Sequence, residues 1–335
     1  MASEIGVLGA GGWGTALAKL LADKGERVTL WCHGFDSYRA IADKRENPSY
    51  LPGIAVPDSI TPTQSLDETV ARKSVVICAL PSHVVRDVFA AAVSGIAEET
   101  IVLCGTKGIE QGSLKTMGEL LIDLLGAKRR DCVVYLSGPS FALEVARQLP
   151  AAVTVAAYDD TVAGSIQQLL STRYLRVYTS RDVIGVQIGG VVKNVIAIAA
   201  GISDGLSLGQ NARAALITRG LAEMTRLAVR MGAEPVTLAG LPGLGDLVLT
   251  CAGDLSRNRA VGLQIAAGKS LEEITGGTRM IAEGVRNTRS LYDLSQRLDV
   301  EMPIVEQMYQ VLYTGKEPAE AVQNLMDRSL KAEAG

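Results

Sequence analysis

The chain is poor in aromatic side chains, in histidine and in excess charge. Of its 335 residues, 4% are aromatic and two are histidine, and the formal net charge at pH 7 is −3. So small a charge gives no electrostatic footprint for a nucleic acid or an anionic membrane surface. The two histidines, His33 and His83, have no cysteine or carboxylate at metal-ligand spacing, so the sequence predicts no metal site.

Cysteine and long apolar runs are also scarce. The chain has no CxxC pair, and we expect its five cysteines to be buried, reduced thiols: Cys32, Cys78, Cys104, Cys132 and Cys251. Nothing like a signal peptide precedes the first predicted strand. The apolar run at 191–202 is interrupted by Lys193 and Asn194, and it falls short of the ~20 residues that a transmembrane helix needs. These features predict a cytoplasmic protein without a membrane span.

The distribution of apolar residues predicts two domains of different class. Up to residue 182, short β-branched runs alternate with helical patterns, as in a parallel sheet buried on both faces. The predicted strands are 5–8, 28–31, 75–79, 101–104, 133–136, 152–155 and 175–178, with helices between them such as 114–125 and 161–170. The remaining segments predict helices only, at 183–200, 211–231, 257–267, 283–298, 303–313 and 318–330. We therefore expect an α/β fold, with a doubly wound domain at 1–182 and an all-α domain at 183–335.

A glycine-rich turn follows the first predicted strand and precedes a helix. In the order strand, G-x-G-x-x-G, helix, Gly9 permits the tight turn, Gly11 lets a pyrophosphate approach the backbone, and Gly14 allows close helix–strand packing. The helix N-terminus then offers free N–H groups to the phosphates. This context predicts a Rossmann-like dinucleotide site, and the alternative is a purely structural turn.

The end of the second strand bears on which dinucleotide is bound. An NAD site usually has an acidic residue there, but the sequence continues with Cys32, His33 and Gly34, and the first acid is Asp36. The missing carboxylate removes a charge that would repel a 2′-phosphate, which favours NADP. His33, or Arg39 one turn later, is the candidate partner of that phosphate; the alternative is a solvated loop histidine.

Two lysines and one aspartate are candidate active-site residues. Lys107 follows the fourth strand in a short glycine-containing turn, where it could meet a phosphate or carbonyl, or remain a surface lysine. Lys193 lies in a very apolar helix, either extended to the surface or facing a cleft where burial would lower its pKa. Asp246, in a glycine-rich apolar segment, is a natural partner for Lys193, although it could also cap the helix that starts there.

A basic helix start provides a candidate anion site. Ser256, Arg257 and Asn258 open a predicted helix, and a serine cap with an arginine fork suits a phosphate. Basic residues are unfavourable at this end of the helix dipole, which favours a role in ligand binding over an ordinary capped helix.

Taken together, these stretches resemble the bacterial-type NAD(P)-dependent glycerol-3-phosphate dehydrogenase family. The matching segments are GAGGWGTALA at 9–18, NPSYLPG at 47–53, KGIE at 107–110, LSGPSFALEVA at 136–146, VVKNVIAIAAGISDGL at 191–206, GLGDLVLTC at 243–251, SRNR at 256–259 and AEGVRN at 282–287. The resemblance implies interconversion of dihydroxyacetone phosphate and sn-glycerol 3-phosphate, a step that supplies glycerophospholipid synthesis, in a homodimer. A 6-phosphogluconate-type dehydrogenase and a non-catalytic nucleotide sensor are the competing interpretations.

The resemblance also implies residue roles. Lys193 would be the catalytic acid and base, oriented by Asp246 and assisted by Thr250. The substrate would be contacted by Lys107, Gly138, Ser140, Asp246, Ser256, Arg257 and Asn258. The cofactor would be lined by the turn glycines with Gly12, Trp13, His33, Lys107, Ala142, Arg257, Ile281 and Glu283. Two positions depart from the family's usual pattern: Gly12 replaces a frequent serine, and Gly34 replaces a frequent arginine, which weakens the expectation of strict NADP preference.

Overall fold

The computed structural model of the protein describes residues 3–276, 282–330 and 332–333. Within them, eight strands form one sheet and two form a separate hairpin. The strands are β1 (Glu4–Leu8), β2 (Arg27–Trp31), β3 (Glu46–Asn47), β4 (Leu51–Ala55), β5 (Ile60–Thr63), β6 (Val75–Cys78), β7 (Ile101–Cys104), β8 (Val133–Ser137), β9 (Ala151–Ala157) and β10 (Leu175–Ser180). The sheet has the order β10-β9-β8-β7-β6-β1-β2-β5, and β3 pairs with β4. All seven predicted strands are confirmed, whereas β3, β4 and β5 were not predicted.

A parallel sheet was expected from the sequence, but the sheet contains one antiparallel pair of strands. Strands β1, β2, β5, β6, β7 and β8 are parallel, but β9 pairs antiparallel with β8, and β10 runs parallel to β9. The connection from β8 to β9 holds only a five-residue helix, Ala142–Ala146, which contacts the first helix of the chain. β9 therefore begins at the same end of the sheet at which β8 ends.

Helices cover both faces of the sheet, as a doubly wound fold requires. They are α1 (Gly12–Asp23), α2 (Phe35–Lys44), α3 (Leu66–Val70), α4 (Val85–Ala92), α5 (Met117–Leu125), α6 (Ala142–Ala146) and α7 (Asp160–Leu170). Buried side chains of α1, α2 and α7 pack on one face, and those of α3, α4 and α5 pack on the other. The β1–β6 boundary, where the chain order reverses, is where ligands of such sheets bind.

Beyond residue 182 the described chain is helical. The helices are α8 (Val183–Gly205), α9 (Gly209–Arg230), α10 (Pro235–Leu238), α11 (Asp246–Ala252), α12 (Arg257–Ala266), α13 (Leu271–Gly276), α14 (Glu283–Leu298), α15 (Pro303–Tyr313) and α16 (Pro318–Met326), with a π-helical turn at Leu241–Gly245. The six predicted helices are confirmed, α11 is the helix that was expected to start near Asp246, and α10 and α13 are additions. Val183 and Val186 lie in the core of the sheet, so α8 connects the two cores. The division of domains at residue 182 stays a prediction.

Helix α8 is the central element of the helical half. By length and composition, Val183–Gly205 and the segment Pro235–Ala252 could each cross a membrane. The most apolar window of α8 is 89% buried inside the protein, so its apolar character serves the core; for the second segment the buried share is 39%. The apolar helix Val183–Gly205 is thus longer than the run at 191–202 noted in the sequence.

Helix α8 continues through Gly201, where the sequence suggested a break. A Cβ at Gly201 would lie 2.0 Å from the backbone oxygen of Arg259, and one at Gly262 would lie 2.1 Å from that of Ile198. The two glycines face each other where α8 crosses α12. They allow the helix backbones to approach closely, and they do not end either helix.

We expect Gly201→Ala to lower the free energy of unfolding by about 2–3 kcal/mol, because the new methyl group overpacks a backbone contact. Gly164→Ala is the matched control, since Gly164 is also helical but has no atom within 4 Å of its Cβ position. It should be neutral or stabilising by up to about 1 kcal/mol. Urea unfolding measures both; equal effects of the two substitutions would contradict the close helix crossing.

Candidate active site

The glycine turn after β1 has the shape that a phosphate cradle needs. Gly9 has φ +114°, and a Cβ there would lie 2.7 Å from the backbone oxygen of Ala79 at the end of β6. A Cβ at Gly14 would lie 1.9 Å from the oxygen of Gly9, so the helix packs directly on the turn. At Gly11, by contrast, no atom lies within 4 Å of the Cβ position. This open backbone beside the N-terminus of α1 fits the pyrophosphate of a dinucleotide.

The β3–β4 hairpin, which was not predicted from the sequence, supports the glycine turn. The buried amide of Asn47 donates to the oxygen of Ala10 and to Oγ1 of Thr15, both at 2.8 Å. A Cβ at Gly12 would lie 2.9 Å from the backbone oxygen of Tyr50. A side chain at position 12 would therefore collide with the backbone of Tyr50. In the sequence, only the NPSYLPG segment at 47–53 pointed to Asn47.

Two other predicted cofactor residues lie at the same edge of the sheet. The indole Nε1 of Trp13 is 3.1 Å from the Cβ position of Gly105, directly after β7. The Cβ of Ala142, the first residue of α6, is 3.8 Å from that of Gly12. Both side chains thus border the space above the glycine turn.

His33 lies apart from these residues, at the end of β2. It is exposed, and its ring is tilted against that of Trp31 with a centroid distance of 5.6 Å. Gly34 is the N-cap of α2, with open space around its Cβ position. No acidic residue stands between β2 and α2, so this end of the strand offers a 2′-phosphate an imidazole and no repelling carboxylate.

Lys193 and Asp246 form a buried ion pair. Nζ of Lys193 on α8 donates to Oδ1 of Asp246 at 2.5 Å and to Oγ1 of Thr250 at 3.0 Å. Thr250 is one turn further along α11, and its hydroxyl also lies 2.6 Å from the backbone oxygen of Asp246. Lys193 is 7% exposed and Asp246 is 1% exposed. The lysine therefore faces an internal cleft and does not extend to the surface.

Lys107 completes the group from the other half of the molecule. Its Nζ lies 2.6 Å from Oδ2 of Asp246, so each carboxylate oxygen serves one lysine. Lys107 follows β7, whereas Asp246 and Lys193 belong to the helical half. The single carboxylate therefore connects the sheet edge to α8 and α11.

The pKa values of Lys193 and Asp246 both lie below their usual values, but for different reasons. Burial lowers the pKa of Lys193 to about 7; the Asp246 carboxylate opposes this shift, and the nearby Lys107 ammonium adds to it. Burial by itself would raise the pKa of Asp246, but the two ammonium groups hold it below its usual value. At neutral pH, Asp246 is therefore ionised, and Lys193 can either donate or accept a proton.

Glycines bring Asp246 to α8. A Cβ at Gly189 would lie 2.3 Å from the backbone oxygen of Pro242, and one at Gly243 would lie 2.0 Å from that of Leu238. The π-helical turn Leu241–Gly245 can therefore lie directly against α8. Asp246 is the first residue of α11, and Gly245 is the N-cap, so the alternative of a capping aspartate is wrong.

The start of α12 forms a second polar group with α14. The hydroxyl of Ser256 caps α12 by accepting from the N–H of Arg259 at 3.2 Å. The buried Asn258 donates to Oδ1 of Asn194 at 2.9 Å and accepts from the N–H of Gly284 at 2.9 Å. These bonds join α8, α12 and α14 next to Lys193, a role for Asn194 and Asn258 that the sequence did not reveal.

Arg257 and Glu283 carry opposite charges at this place; Arg257 is exposed and Glu283 is half-buried. Partial desolvation lowers the pKa of Arg257, which the Glu283 carboxylate partly offsets. Burial raises the pKa of Glu283, although Ser82 opposes the shift by donating from its N–H at 3.1 Å and its hydroxyl at 2.5 Å. Ser82 follows β6, so this contact also joins the two halves. Ile281, a predicted cofactor residue, lies outside the described residues.

The turn after β8 lies beside Asp246. Gly138 has φ +132°, and the hydroxyl of Ser140 donates to its backbone oxygen at 2.9 Å. The ring of Pro139 is 3.6 Å from the Cβ position of Gly245. The structure therefore brings the turn of Gly138 and Ser140 to the edge of the cleft that holds the two lysines.

This combination of a dinucleotide cradle, a doubly wound sheet and a buried lysine–aspartate pair defines a nucleotide-dependent oxidoreductase of two-domain type. Among the described residues, no group of three histidine, cysteine, aspartate or glutamate side chains is placed to hold a metal ion.

Comparisons with known proteins agree with this class. The N-terminal model of NAD-dependent glycerol-3-phosphate dehydrogenase matches residues 4–163, and the C-terminal model matches residues 182–323. The chain is 54% identical over 333 residues to a glycerol-3-phosphate dehydrogenase [NAD(P)+] of Citrifermentans bemidjiense, covering 99% of both chains. It is 50% identical over 333 residues to that of Geobacter sulfurreducens, with the same coverage.

A solved structure gives the same result. The crystal structure of glycerol-3-phosphate dehydrogenase from Coxiella burnetii superposes with a TM-score of 0.93 at 40% identity, covering 98% of this chain and 99% of that one. The chain belongs to the NAD-dependent glycerol-3-phosphate dehydrogenase family.

We expect Asn47→Ala to weaken dinucleotide binding about tenfold without removing any group that touches the ligand. The change leaves the buried oxygen of Ala10 unpaired, and such a loss costs about 1–3 kcal/mol. Asn324→Ala, on the exposed face of α16, is the control. Fluorescence titration with NADPH measures the dissociation constants; unchanged affinity in Asn47→Ala would show that the hairpin does not shape the turn.

Proposed function

We propose that the protein interconverts dihydroxyacetone phosphate and sn-glycerol 3-phosphate with a nicotinamide dinucleotide. Its family membership and the names of its relatives support this reaction. The observation that carries the proposal is the buried Lys193 side chain, held by Asp246 and Thr250 and linked through Asp246 to Lys107, which follows β7 of the sheet. A carbonyl reductase needs such an acid within reach of its cofactor site.

In this proposal, Lys193 is the catalytic acid and base. When bound, the reduced nicotinamide supplies a hydride to the ketone carbon. The Lys193 ammonium donates a hydrogen bond to the carbonyl oxygen and transfers its proton as negative charge develops there. Asp246 and Thr250 fix the direction of the ammonium group. In the reverse direction the neutral amine takes the proton of the alcohol, for which a pKa of about 7 is well suited.

The substrate phosphate is assigned to the start of α12. Arg257 contributes a guanidinium that is open to a ligand from solvent, and Ser256 and Asn258 hold the helix N-terminus next to α8. A phosphate fixed there and a carbonyl held by Lys107 and Lys193 would restrain both ends of a three-carbon molecule. The turn of Gly138 and Ser140 would close the same space from the sheet.

The dinucleotide is assigned to the cleft above the glycine turn. Gly9, Gly11, Gly12 and Gly14 would hold the pyrophosphate at the N-terminus of α1. Trp13, Lys107, Ala142, Arg257, Ile281 and Glu283 would line the remainder of the cofactor. The absence of a carboxylate after β2 and the exposed His33 favour NADPH. NADH and NADPH therefore both belong in the assay.

The cellular setting follows from the same reaction. A soluble small-molecule dehydrogenase with this product would act in the cytoplasm and supply the backbone of glycerophospholipids. We also propose that it acts as a homodimer, with a dinucleotide domain at 1–182 and an all-α domain at 183–335.

Replacing the proposed acid tests the reaction. Lys193→Met should lower kcat for dihydroxyacetone phosphate reduction by about 10²–10⁴, the contribution typical of general acid catalysis, while NADPH affinity stays near wild type. Lys115→Met, an exposed lysine paired with Asp123, is the control. The decay of NADPH absorbance measures turnover; near-normal turnover of Lys193→Met would refute the assignment.

The phosphate site predicts a different kinetic pattern. Arg257→Ala should raise KM for dihydroxyacetone phosphate by about 10- to 100-fold, because a hydrogen bond to a charged group contributes about 1.5–3 kcal/mol. Arg219→Ala, on the outer surface of α9, should leave KM unchanged. Steady-state kinetics at saturating NADPH provides the comparison, and a wild-type KM for Arg257→Ala would remove Arg257 from the substrate site.

A further inference from the structure

Two buried hydroxyl groups near the active site have no hydrogen-bond partner among the described residues. They belong to Tyr135, which is 2% exposed, and Ser137, which is 4% exposed. The two residues are separated by one position on β8, so their side chains lie on the same face of the sheet. Nearly all buried polar groups in proteins are paired, with protein or with ordered water. Two unpaired hydroxyls on the same face of β8 therefore call for a partner.

Both hydroxyls border one small cavity under the active site. It lies between β8, the turn after β7 and the first half of α8, and the space between atoms there amounts to about 270 Å³, part of it open to solvent. Of this, about 10 Å³ is open to the centre of a water molecule, close to the minimum that one water needs. Lys107 and Gln187 add further polar groups to the lining. A cavity of this size holds a water only where polar groups line it, and here the hydroxyls of Tyr135 and Ser137 line part of it together with Lys107 and Gln187.

Glycines allow two helix backbones to lie close to the hydroxyls. A Cβ at Gly118 on α5 would lie 2.5 Å from the hydroxyl of Tyr135 and 2.6 Å from Oε1 of Gln187. A Cβ at Gly190 on α8 would lie 2.9 Å from Oγ of Ser137 and 3.3 Å from Cδ of Lys107. The Ser137 hydroxyl and the stem of Lys107 thus meet at one point on α8.

Lys107 needs such a restraint. Its ammonium group has three donors, and the contact with Asp246 accounts for one of them. A lysine is a compact charge on a flexible four-carbon stem, so a single contact leaves its position poorly defined. A partner on the cavity side would fix the ammonium from a second direction.

We propose that Tyr135 and Ser137 are positioning residues, whose hydroxyls hold an ordered water that fixes the Lys107 ammonium beside Asp246. The proposal rests on the proposed function insofar as Lys107 contacts the substrate. Neither hydroxyl takes part in the chemistry. Their effect reaches the reaction through the position of Lys107, and through it the position of the carboxylate that Lys107 shares with Lys193.

Substitution of Ser137 provides the kinetic test. Ser137→Ala should lower kcat/KM for dihydroxyacetone phosphate about tenfold, with Tm within about 2 °C of wild type. Ser203→Ala is a matched control, because Ser203 is also a buried serine of unpaired hydroxyl but lies further along α8, away from the cavity. It should leave kcat/KM unchanged. Tyr135→Phe should reproduce the loss seen in Ser137→Ala, and Ser137→Thr, which keeps the hydroxyl, should restore part of it.

Filling the cavity tests the same water without deleting a hydroxyl. Gly190→Ala places a methyl group against Ser137 and Lys107, and should lower kcat/KM as much as Ser137→Ala does. The methyl group would lie 2.9 Å from Oγ of Ser137, so that hydroxyl must turn away. The higher helix propensity of alanine offsets part of this cost, so we expect only a small decrease in Tm.

A high-resolution crystal structure gives a readout that is independent of activity. We expect a density peak within hydrogen-bond distance of the Tyr135 and Ser137 hydroxyls, and its loss in Ser137→Ala. An empty cavity in the wild type would overturn the proposal, as would wild-type kcat/KM in Ser137→Ala. Failure of the wild-type enzyme to reduce dihydroxyacetone phosphate would instead refute the proposed function, and the density peak would still decide whether the water exists.

Discussion

The carboxylate of Asp246 is the group on which the rest of the site depends. It is nearly completely buried, and its two oxygens each hold one lysine, Lys193 from α8 and Lys107 from the sheet. A buried charge of either sign is costly unless it is paired, so the buried Lys193 ammonium depends on this anion. The same contact joins the two halves of the molecule at the point where the nucleotide and the substrate are expected to meet.

The backbone is built around this contact. Gly189 and Gly243 allow the π-helical turn before Asp246 to lie against α8, and Gly201 with Gly262 lets α12 cross α8 closely. Such close approaches sacrifice helix propensity, since glycine is less favourable than alanine in a helix interior by about 1 kcal/mol. These close approaches let α11, α12 and α14 pack around α8, with the polar contacts of Asp246 and Asn258 next to Lys193.

Much of this arrangement was predictable from local patterns, because strands, helices and the glycine turn have short sequence signatures. The pairing of Lys193 with Asp246 was also predictable, since a lysine in an apolar helix needs a carboxylate and Asp246 is the one carboxylate in the apolar, glycine-rich segment 240–251. The reversed direction of β9 and the hairpin that carries Asn47 were not, because both depend on contacts between distant segments. The sharing of Asp246 with Lys107 likewise depends on how the two halves meet, which no local pattern encodes.

The pH dependence of dihydroxyacetone phosphate reduction tests most directly whether Asp246 sets the protonation of Lys193. Burial lowers the pKa of Lys193 and the carboxylate raises it, so activity should be lost as the pH rises through about 7 in the wild type. In Asp246→Asn the supporting charge is gone, and this alkaline limb of kcat/KM should move to lower pH. A limb that stays in place, or that moves to higher pH, would contradict the role assigned to the shared carboxylate.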